Sequence, residues 1–241
     1  MLETTKIGRR ARALAIAATL ALAGSVRAGG VELGGELSFR VQSYRPRVDS
    51  EFSGGTGPYT LVFGSGKALG VRADYAATLS GLFGTAGLGA GIGYIGMEGK
   101  GLYQEASGGE WKISGDTTAL RLFPASLFVL YRMDGLATRA GIPVAPYARV
   151  SLERYLWIVS GTNHASKTGA TNGYGLTLGV ALLLDVLDPD LARQLSEETG
   201  VRHTCLTVDV SKARVNDFGS SRSWDLSTAE WAVSAGLTVT F

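Results

Sequence analysis

Two histidines, His164 and His203, are the candidates for a catalytic base. Nucleophilic catalysis needs a hydroxyl or thiol within hydrogen-bonding reach of such a base, and His164 lies in a polar segment between Ser160 and Ser166. The sequence has no G-x-S-x-G turn to present a nucleophilic serine. A histidine in a polar loop is usually solvated, and one at the start of a strand usually caps or packs. We therefore predict that the chain is not an enzyme.

The single cysteine, Cys205, has no partner for an intramolecular disulfide, and on a short strand a thiol is more often inert packing than a nucleophile. The acidic residues of the loops lack the D-x-[DN]-x-[DN]-G spacing of a calcium loop. These residues are Glu105, Glu110, Asp217 and Asp225. We expect hydrated carboxylates here, with no metal ion and no cofactor.

Charged residues of both signs recur on the polar side of segments in which every second residue is apolar. If those segments are strands of a narrow closed barrel, the charges meet in its interior, where they persist only when paired and hydrogen-bonded. The predicted cluster comprises Glu36, Arg40, Arg72, Asp74, Arg149, Glu153, Asp209 and Glu230. The favoured interpretation is a salt-bridged plug. A gated polar path for a small solute needs the same mixture of charges, so it stays open as the alternative.

Eight segments position these charges. An alternation of apolar residues with small or polar ones over about 9 to 11 residues is typical of a membrane-spanning barrel strand. The predicted strands are Leu33–Tyr44, Ala68–Leu82, Ala86–Met97, Thr117–Tyr131, Val144–Val159, Gly173–Asp185, Thr204–Ser211 and Ala229–Phe241. A soluble lipocalin-like barrel would place large apolar residues on the face that here carries Gly, Ser, Thr and charges. The sequence therefore predicts an all-β fold: an eight-stranded antiparallel transmembrane β-barrel with long loops after strands one, three, five and seven.

Three of these strands have unusual compositions. In the third, four alternate glycines from Gly87 to Gly93 share one face, which indicates that larger side chains crowd against it. In the fourth, Pro124 cannot donate to the ladder, so we expect a bulge or an irregular pairing there. The distal end of the fifth carries Tyr155 and Trp157, which is typical of the aromatic girdle at a membrane interface.

One segment breaks the β pattern. Asp188 suits an N-cap, Pro189 suits the first helical position, and Gly200 follows the last one. This spacing predicts one short helix of about ten residues. It would join strands six and seven on the periplasmic side of the barrel.

The first 28 residues are predicted to be a cleaved signal peptide of the general secretory route. A basic start is followed by the apolar stretch Ala13–Leu22 and by Val26-Arg27-Ala28, which resembles a cleavage site. Of the chain's 23 Lys/Arg and 21 Asp/Glu, five and one lie in this leader, which leaves 18 against 20. The remaining domain, residues 29–241, therefore has no excess of basic residues that would favour binding to nucleic acid.

The end of the chain has the clearest alternation. Leu237, Val239 and Phe241 share the apolar face of the last predicted strand, and Phe241 closes it. An aromatic residue in this place resembles the terminal recognition signal of bacterial outer-membrane β-barrels, which the outer-membrane assembly machinery reads. The resemblance implies an outer-membrane location, with that machinery and the outer-membrane lipids, including lipopolysaccharide, as partners.

The whole mature chain also resembles an uncharacterised family of outer-membrane β-barrels described from myxobacteria, small barrels of the OmpA and OmpW kind. The residues that carry the resemblance are Ser43-Tyr44-Arg45-Pro46, Val48-Asp49-Ser50-Glu51-Phe52, Leu122-Phe123-Pro124, Tyr131-Arg132-Met133-Asp134, Gly141-Ile142-Pro143, Pro146-Tyr147, Leu187-Asp188-Pro189, Gly200-Val201-Arg202-His203-Thr204, Asn216-Asp217-Phe218-Gly219-Ser220 and Asp225-Leu226-Ser227. It implies a barrel and no activity. We expect a structural or surface-interaction role. The alternatives are a narrow channel for small or apolar solutes and a lipid A-modifying enzyme.

Overall fold

The computed structural model describes residues 27–28, 31–52, 56–81, 84–103, 112–162, 164–220 and 222–241. Its strands are β1 Val31–Tyr44, β2 Ala68–Gly81, β3 Gly84–Tyr103, β4 Lys112–Arg132, β5 Val144–Gly161, β6 His164–Leu183, β7 His203–Val215 and β8 Ala232–Thr240. Its α-helices are α1 Pro58–Phe63, α2 Gly135–Ala140 and α3 Pro189–Thr199, with 3-10 turns at Val48–Glu51 and Leu184–Val186. Within the described residues, none of the helices is both long enough and apolar enough to cross a bilayer.

The eight strands form one closed antiparallel ring, as predicted. Each strand pairs with its neighbour in sequence, and β8 returns to pair with β1. A line of paired residues that leaves β1 at Glu32 passes through all the other strands and comes back to β1 at Gln42, ten residues further on. This stagger tilts the strands by roughly 35–45° to the barrel axis, and eight strands leave an interior that side chains can fill.

The outer surface of the ring is apolar. The alternating residues that the sequence places on one face of each strand point outward, and Leu69, Leu88 and Ile92 are 73%, 67% and 69% exposed. Most inward residues in the middle of the barrel are small, polar or charged, with Phe128 and Leu130 as large apolar exceptions on β4. The predicted assignment of faces is therefore confirmed.

Several strand ends differ from the prediction. The segment Gly161–Asn172, which lies between the predicted strands five and six, is not a polar loop: β5 runs to Gly161, β6 begins at His164, and the two strands pair as a hairpin. Strands β3 and β4 also reach beyond their predicted ends, to Tyr103 and from Lys112. On β3 the exposed Glu98 and Lys100 interrupt the apolar alternation beyond Met97, even though the pairing with β4 continues.

The predicted helix is confirmed as α3. The Asp188 side chain accepts a hydrogen bond from the Leu191 backbone N–H at 3.0 Å, and Gly200 ends the helix in a left-handed conformation with φ 75°. Helices α1 and α2 were not predicted, since both are only six residues long. At Pro124 the β3–β4 ladder is interrupted without a change of register, and the shift of register lies between Lys100 and Leu102.

Candidate functional site in the barrel interior

Asp74 is the centre of a charge network halfway along the interior. Its Oδ1 atom accepts from Arg72 Nε at 3.1 Å and from Arg149 Nη2 at 3.0 Å, and Arg40 pairs with its Oδ2 atom. All four side chains are less than 9% exposed. Three cations therefore share one carboxylate in a place that solvent scarcely reaches.

Two further carboxylates balance those cations. Asp209 accepts from Arg40 Nη1 at 3.2 Å and from the Tyr147 hydroxyl at 2.7 Å. Glu153 accepts from Arg72 Nη2 at 3.4 Å and from the Ser151 hydroxyl at 2.6 Å. Six of the eight predicted cluster residues thus form one connected network across strands β1, β2, β5 and β7.

The two remaining residues of the predicted cluster, Glu36 and Glu230, lie in different places. Glu36 lies inside but closer to the end that carries α2 and α3, where it pairs with Arg132, which also pairs with Asp134 at 2.7 Å. Glu230 is not in the interior: its side chain is 59% exposed and pairs with Lys67 at 3.0 Å, so its predicted place in the cluster is wrong. It precedes β8, where the strand alternation does not yet hold.

Arg132 is a buried interior residue that the predicted cluster does not include. The predicted strand ended one residue earlier, at Tyr131, whereas β4 includes Arg132. The sequence did indicate that a cation was missing from the predicted cluster, because that cluster contained three cations and five anions. Replacing Glu230 with Arg132 gives four of each, and a buried set of charges is expected to balance.

The glycine face of β3 makes room for this network. A Cβ atom at Gly91 would overlap the Asp74 carboxylate, and one at Gly89 would overlap the ring of Phe128 and the backbone oxygen of Tyr75. The prediction that larger side chains crowd this face is confirmed. Two cavities remain beside the charges, each of about 30 Å³, which is enough for about one water molecule. At this level the barrel is filled.

A second, apolar layer closes the interior at the opposite end from α3. Its members are Tyr44, Tyr59, Ile95, Met97, Leu120, Leu122, Tyr155, Val215 and Leu226. Tyr59 belongs to α1, and its hydroxyl, whose pKa is raised by burial, donates to Met97 Sδ at 3.0 Å. The Tyr44 hydroxyl donates to the Leu226 backbone oxygen at 2.5 Å. The loops before β2 and β8 therefore fold into the barrel mouth and plug it.

This layer corrects the predicted aromatic girdle on β5. Tyr155 is buried in the apolar layer, and Trp157 points inward and stacks on Trp224, with the ring centroids 4.6 Å apart. Their place on the same face as Arg149 and Glu153 follows from the strand alternation. An outward girdle residue is instead Tyr94, which packs against Phe123 at a centroid distance of 5.4 Å.

Among the described side chains, His203 and Cys205 do not form a catalytic arrangement. His203 Nδ1 pairs with Asp185 Oδ2 at 2.6 Å on the exposed end of the barrel, and no hydroxyl or thiol there hydrogen-bonds to its ring. Cys205 is buried against Ala145 and Ala181. His164 begins β6.

The residues of the predicted assembly signal lie at the end of β8. Leu237 points outward and is 50% exposed, and Val239 faces the same side. The Phe241 backbone closes the ring against β1, since its N–H donates to the Gly35 oxygen at 2.8 Å. The predicted signal peptide lies outside the described residues apart from Arg27–Ala28, which pair with the start of β1.

Comparison with known proteins returns other small barrels. No family model matches the chain, and no curated protein matches it. The chain is similar to Neisserial surface protein A from Neisseria (14% identity, 87% of this chain and 97% of that one, TM-score 0.43). It is also similar to the attachment invasion locus protein of Yersinia pestis (8%, 88% and 99%, 0.41) and to OprG of Pseudomonas aeruginosa (10%, 88% and 96%, 0.42). At such low identities and TM-scores, the fold assignment depends on the strand pairing of this chain itself.

Proposed function

We propose that the protein is an integral β-barrel of the bacterial outer membrane with a plugged lumen. One observation carries this proposal: the closed ring presents apolar side chains outward and buries its charges inward, the reverse of a soluble barrel. Exposed apolar patches of this extent mark contact with lipid or another protein, and a barrel satisfies every backbone group inside hydrocarbon because it has no free edge. The predicted signal peptide, the aromatic residue after β8 and the resemblance of the sequence to outer-membrane β-barrels agree with this location.

The interior supports a structural or surface-interaction role. The charge network and the apolar layer each fill one level of the barrel among the described residues, which supports a lumen closed to solutes. The loops at the apolar end are the parts that would meet partners outside the cell. Outer-membrane lipids, lipopolysaccharide and the assembly machinery are the proposed partners of the barrel itself.

Planar-bilayer recording tests the plugged lumen. The purified protein, inserted into a bilayer, is expected to give no stepwise conductance. Discrete steps from the wild-type chain would instead support the alternative of a narrow channel. Insertion itself is verified separately by flotation with lipid vesicles, so a silent bilayer cannot be confused with a protein that stayed outside it.

Two further measurements test location and chemistry. Cell fractionation is expected to find the protein in the outer membrane, and deletion of Phe241 is expected to reduce the assembled fraction. Mass spectrometry of lipid A from cells with and without the gene is expected to show identical species. A difference in acylation would support the alternative of a lipid A-modifying enzyme.

A further inference from the structure

Basic side chains lie along one half of the barrel, near the edge of the apolar outer surface at the end opposite α3. Arg121, Arg154, Lys212 and Arg214 are exposed and point outward from β4, β5 and β7. On β5, Arg154 is the next outward residue after Leu152; on β7, Lys212 is the next after Val210. The cations therefore lie near the edge of the apolar outer surface, where on β5 one further exposed apolar residue, Leu156, lies beyond Arg154.

The other half of the barrel lacks this feature. At the same level β1, β2 and β3 carry Ser43, Leu69 and Tyr94, all uncharged. The nearby Lys67 is neutralised by Glu230. No acidic side chain points outward from β4 to β7 among the residues that the structure describes. On β3 the exposed Lys100 lies two residues from the exposed Glu98, whereas the cations of β4, β5 and β7 have no such acidic neighbour on their described strands.

The strand register brings two of these cations together around Tyr174. Arg154 is paired across the β5–β6 ladder with Asn172, and Tyr174 is paired across the β6–β7 ladder with Arg214. Arg154 and Arg214 consequently flank the same outward strand, separated by two strand spacings, or about 10 Å across the sheet. Their long side chains can reach one ligand between them.

The two arginines differ in what holds them. Arg154 Nη1 donates to Asn172 Oδ1 at 3.1 Å, and Asn172 in turn donates to Asp217. The Arg214 side chain makes no hydrogen bond or ion pair with any other described residue, although its backbone pairs with β6. An oriented guanidinium beside an unpaired one suits an anionic group with several acceptor oxygens, because arginine binds phosphate through two parallel hydrogen bonds.

A strained turn adds an aromatic wall to the same place. Asp217 and Phe218 are consecutive non-glycine residues with φ 47° and 57°, a conformation that L-residues seldom adopt. The turn sets the Phe218 ring over Tyr174 at a centroid distance of 6.5 Å, although Phe218 stays 68% exposed. An exposed aromatic pair at a membrane border packs well against acyl chains or sugar rings.

We propose that this face, formed by Arg154, Arg214, Tyr174 and Phe218, binds the phosphorylated headgroup of a lipid in the outer leaflet. The proposal rests on the outer-membrane location proposed above. The lipid phosphate would lie between the two guanidinium groups, with Lys212 adding charge, and the acyl chains would continue down the apolar face below. A soluble phosphate would use the cations but not the aromatic and apolar surface.

Native mass spectrometry of the full mature protein, released from detergent with added diphosphoryl lipid A, tests the site. The double variant Arg154→Gln/Arg214→Gln is expected to bind lipid A at least about tenfold more weakly than wild type, since each basic residue at a membrane surface contributes noticeably to anion attraction. The matched control, Lys100→Gln/Arg193→Gln, removes one exposed charge from β3 and one from α3 at the other end of the barrel, and it is expected to bind like wild type.

The remaining arms distinguish the other outcomes. Dephosphorylated lipid A is expected to bind wild type as weakly as the double variant binds the phosphorylated form, and millimolar inorganic phosphate is expected not to displace the lipid. Displacement by inorganic phosphate would assign the site to a free anion and overturn the lipid proposal. Equal binding by both double variants would overturn the site while leaving the membrane location intact. Failure of the wild type to float with phosphatidylcholine vesicles would instead remove the outer-membrane proposal.

Discussion

The guanidinium of Arg149 lies over the ring of Phe128, with its Cζ atom 3.7 Å from the ring centroid. Phe128 is paired across β3–β4 with Gly89, and a side chain at Gly89 would displace the ring. A cation buried in the barrel is thus stabilised by an aromatic face as well as by the Asp74 carboxylate. Glycine on β3, phenylalanine on β4 and arginine on β5 depend on one another.

Replacing Asp74 with Asn is expected to destabilise the barrel by about 3–5 kcal/mol, because it leaves three buried arginines with two carboxylates. The measurement is urea-induced unfolding in lipid vesicles, followed by tryptophan fluorescence. The control is Asp190→Asn, which breaks the exposed pair with Arg193 and is expected to cost less than about 0.5 kcal/mol. Equal effects of both substitutions would show that the interior network contributes little.

Gly89→Ala is expected to destabilise the folded barrel by about 1–3 kcal/mol, because the new methyl group would meet backbone as well as the Phe128 ring. Gly115→Ala, also on a strand, adds a methyl group with no atom within 4 Å. It is expected to leave the unfolding midpoint unchanged or slightly raised. Both variants can be compared in the same vesicle-unfolding assay, and a neutral Gly89→Ala would contradict the close packing.

The turn that carries Phe218 is expected to loosen in acid. Hydrogen bonds from the Ser223 hydroxyl and then from the Asn172 backbone N–H lower the pKa of Asp217 below its ordinary value of 3.8. A carboxylate with a lowered pKa stabilises the folded loop above its unfolded pKa, and this stabilisation is lost as the pH falls through the folded one. Pepsin cleavage between β7 and β8 is therefore expected to accelerate below about pH 4.

Asp217→Asn provides the comparison for that experiment. Because its amide does not titrate, the variant's cleavage in the same loop is expected to be faster at mildly acidic pH and to change little on further acidification. A wild-type loop that is equally protected at both pH values would show that the carboxylate does not hold the turn.

Tyr59→Ala is expected to release α1 from the barrel mouth, since it removes a buried ring and the hydrogen bond to Met97. Proteolysis of the loop between β1 and β2 is the readout, with Tyr59→Phe, which keeps the ring, expected to resemble wild type. The bilayer is nevertheless expected to stay silent, because the charge network below closes the lumen by itself. Conductance from Tyr59→Ala would show that the apolar layer is the only barrier.

The faces of the strands were predictable because lipid and interior impose opposite requirements on alternate residues. Leu88 and Ile92 point outward, and Gly89 and Gly91 inward, as the alternation indicates. The strand ends opposite α3 were not predictable from this rule. On β4 the run from Leu120 to Phe123 is nearly all apolar, so the alternation cannot show that Leu122 points inward while Phe123 points outward.

The interior network was predictable in its members more than in its partners. The strand alternation placed Arg40, Asp74 and Arg149 on inner faces. Which cation pairs with which carboxylate depends on the stagger between strands, and no local sequence pattern encodes that stagger. Arg132 and Glu230 were misassigned for a related reason: both lie at strand ends, where a boundary error of one or two residues moves a side chain in or out of the barrel.

The junction between β1 and β8 differs from every other one in how far it reaches along the chain. Ser38 and Thr238, whose hydroxyl groups are 2.8 Å apart across it, are 200 positions apart in sequence. Bringing such remote segments together carries a large entropic cost and slows folding. Until that contact forms, two unsatisfied strand edges are available to other chains. Self-association is therefore the competing reaction during biogenesis, and a chain shortened before β8 would be left in that vulnerable form.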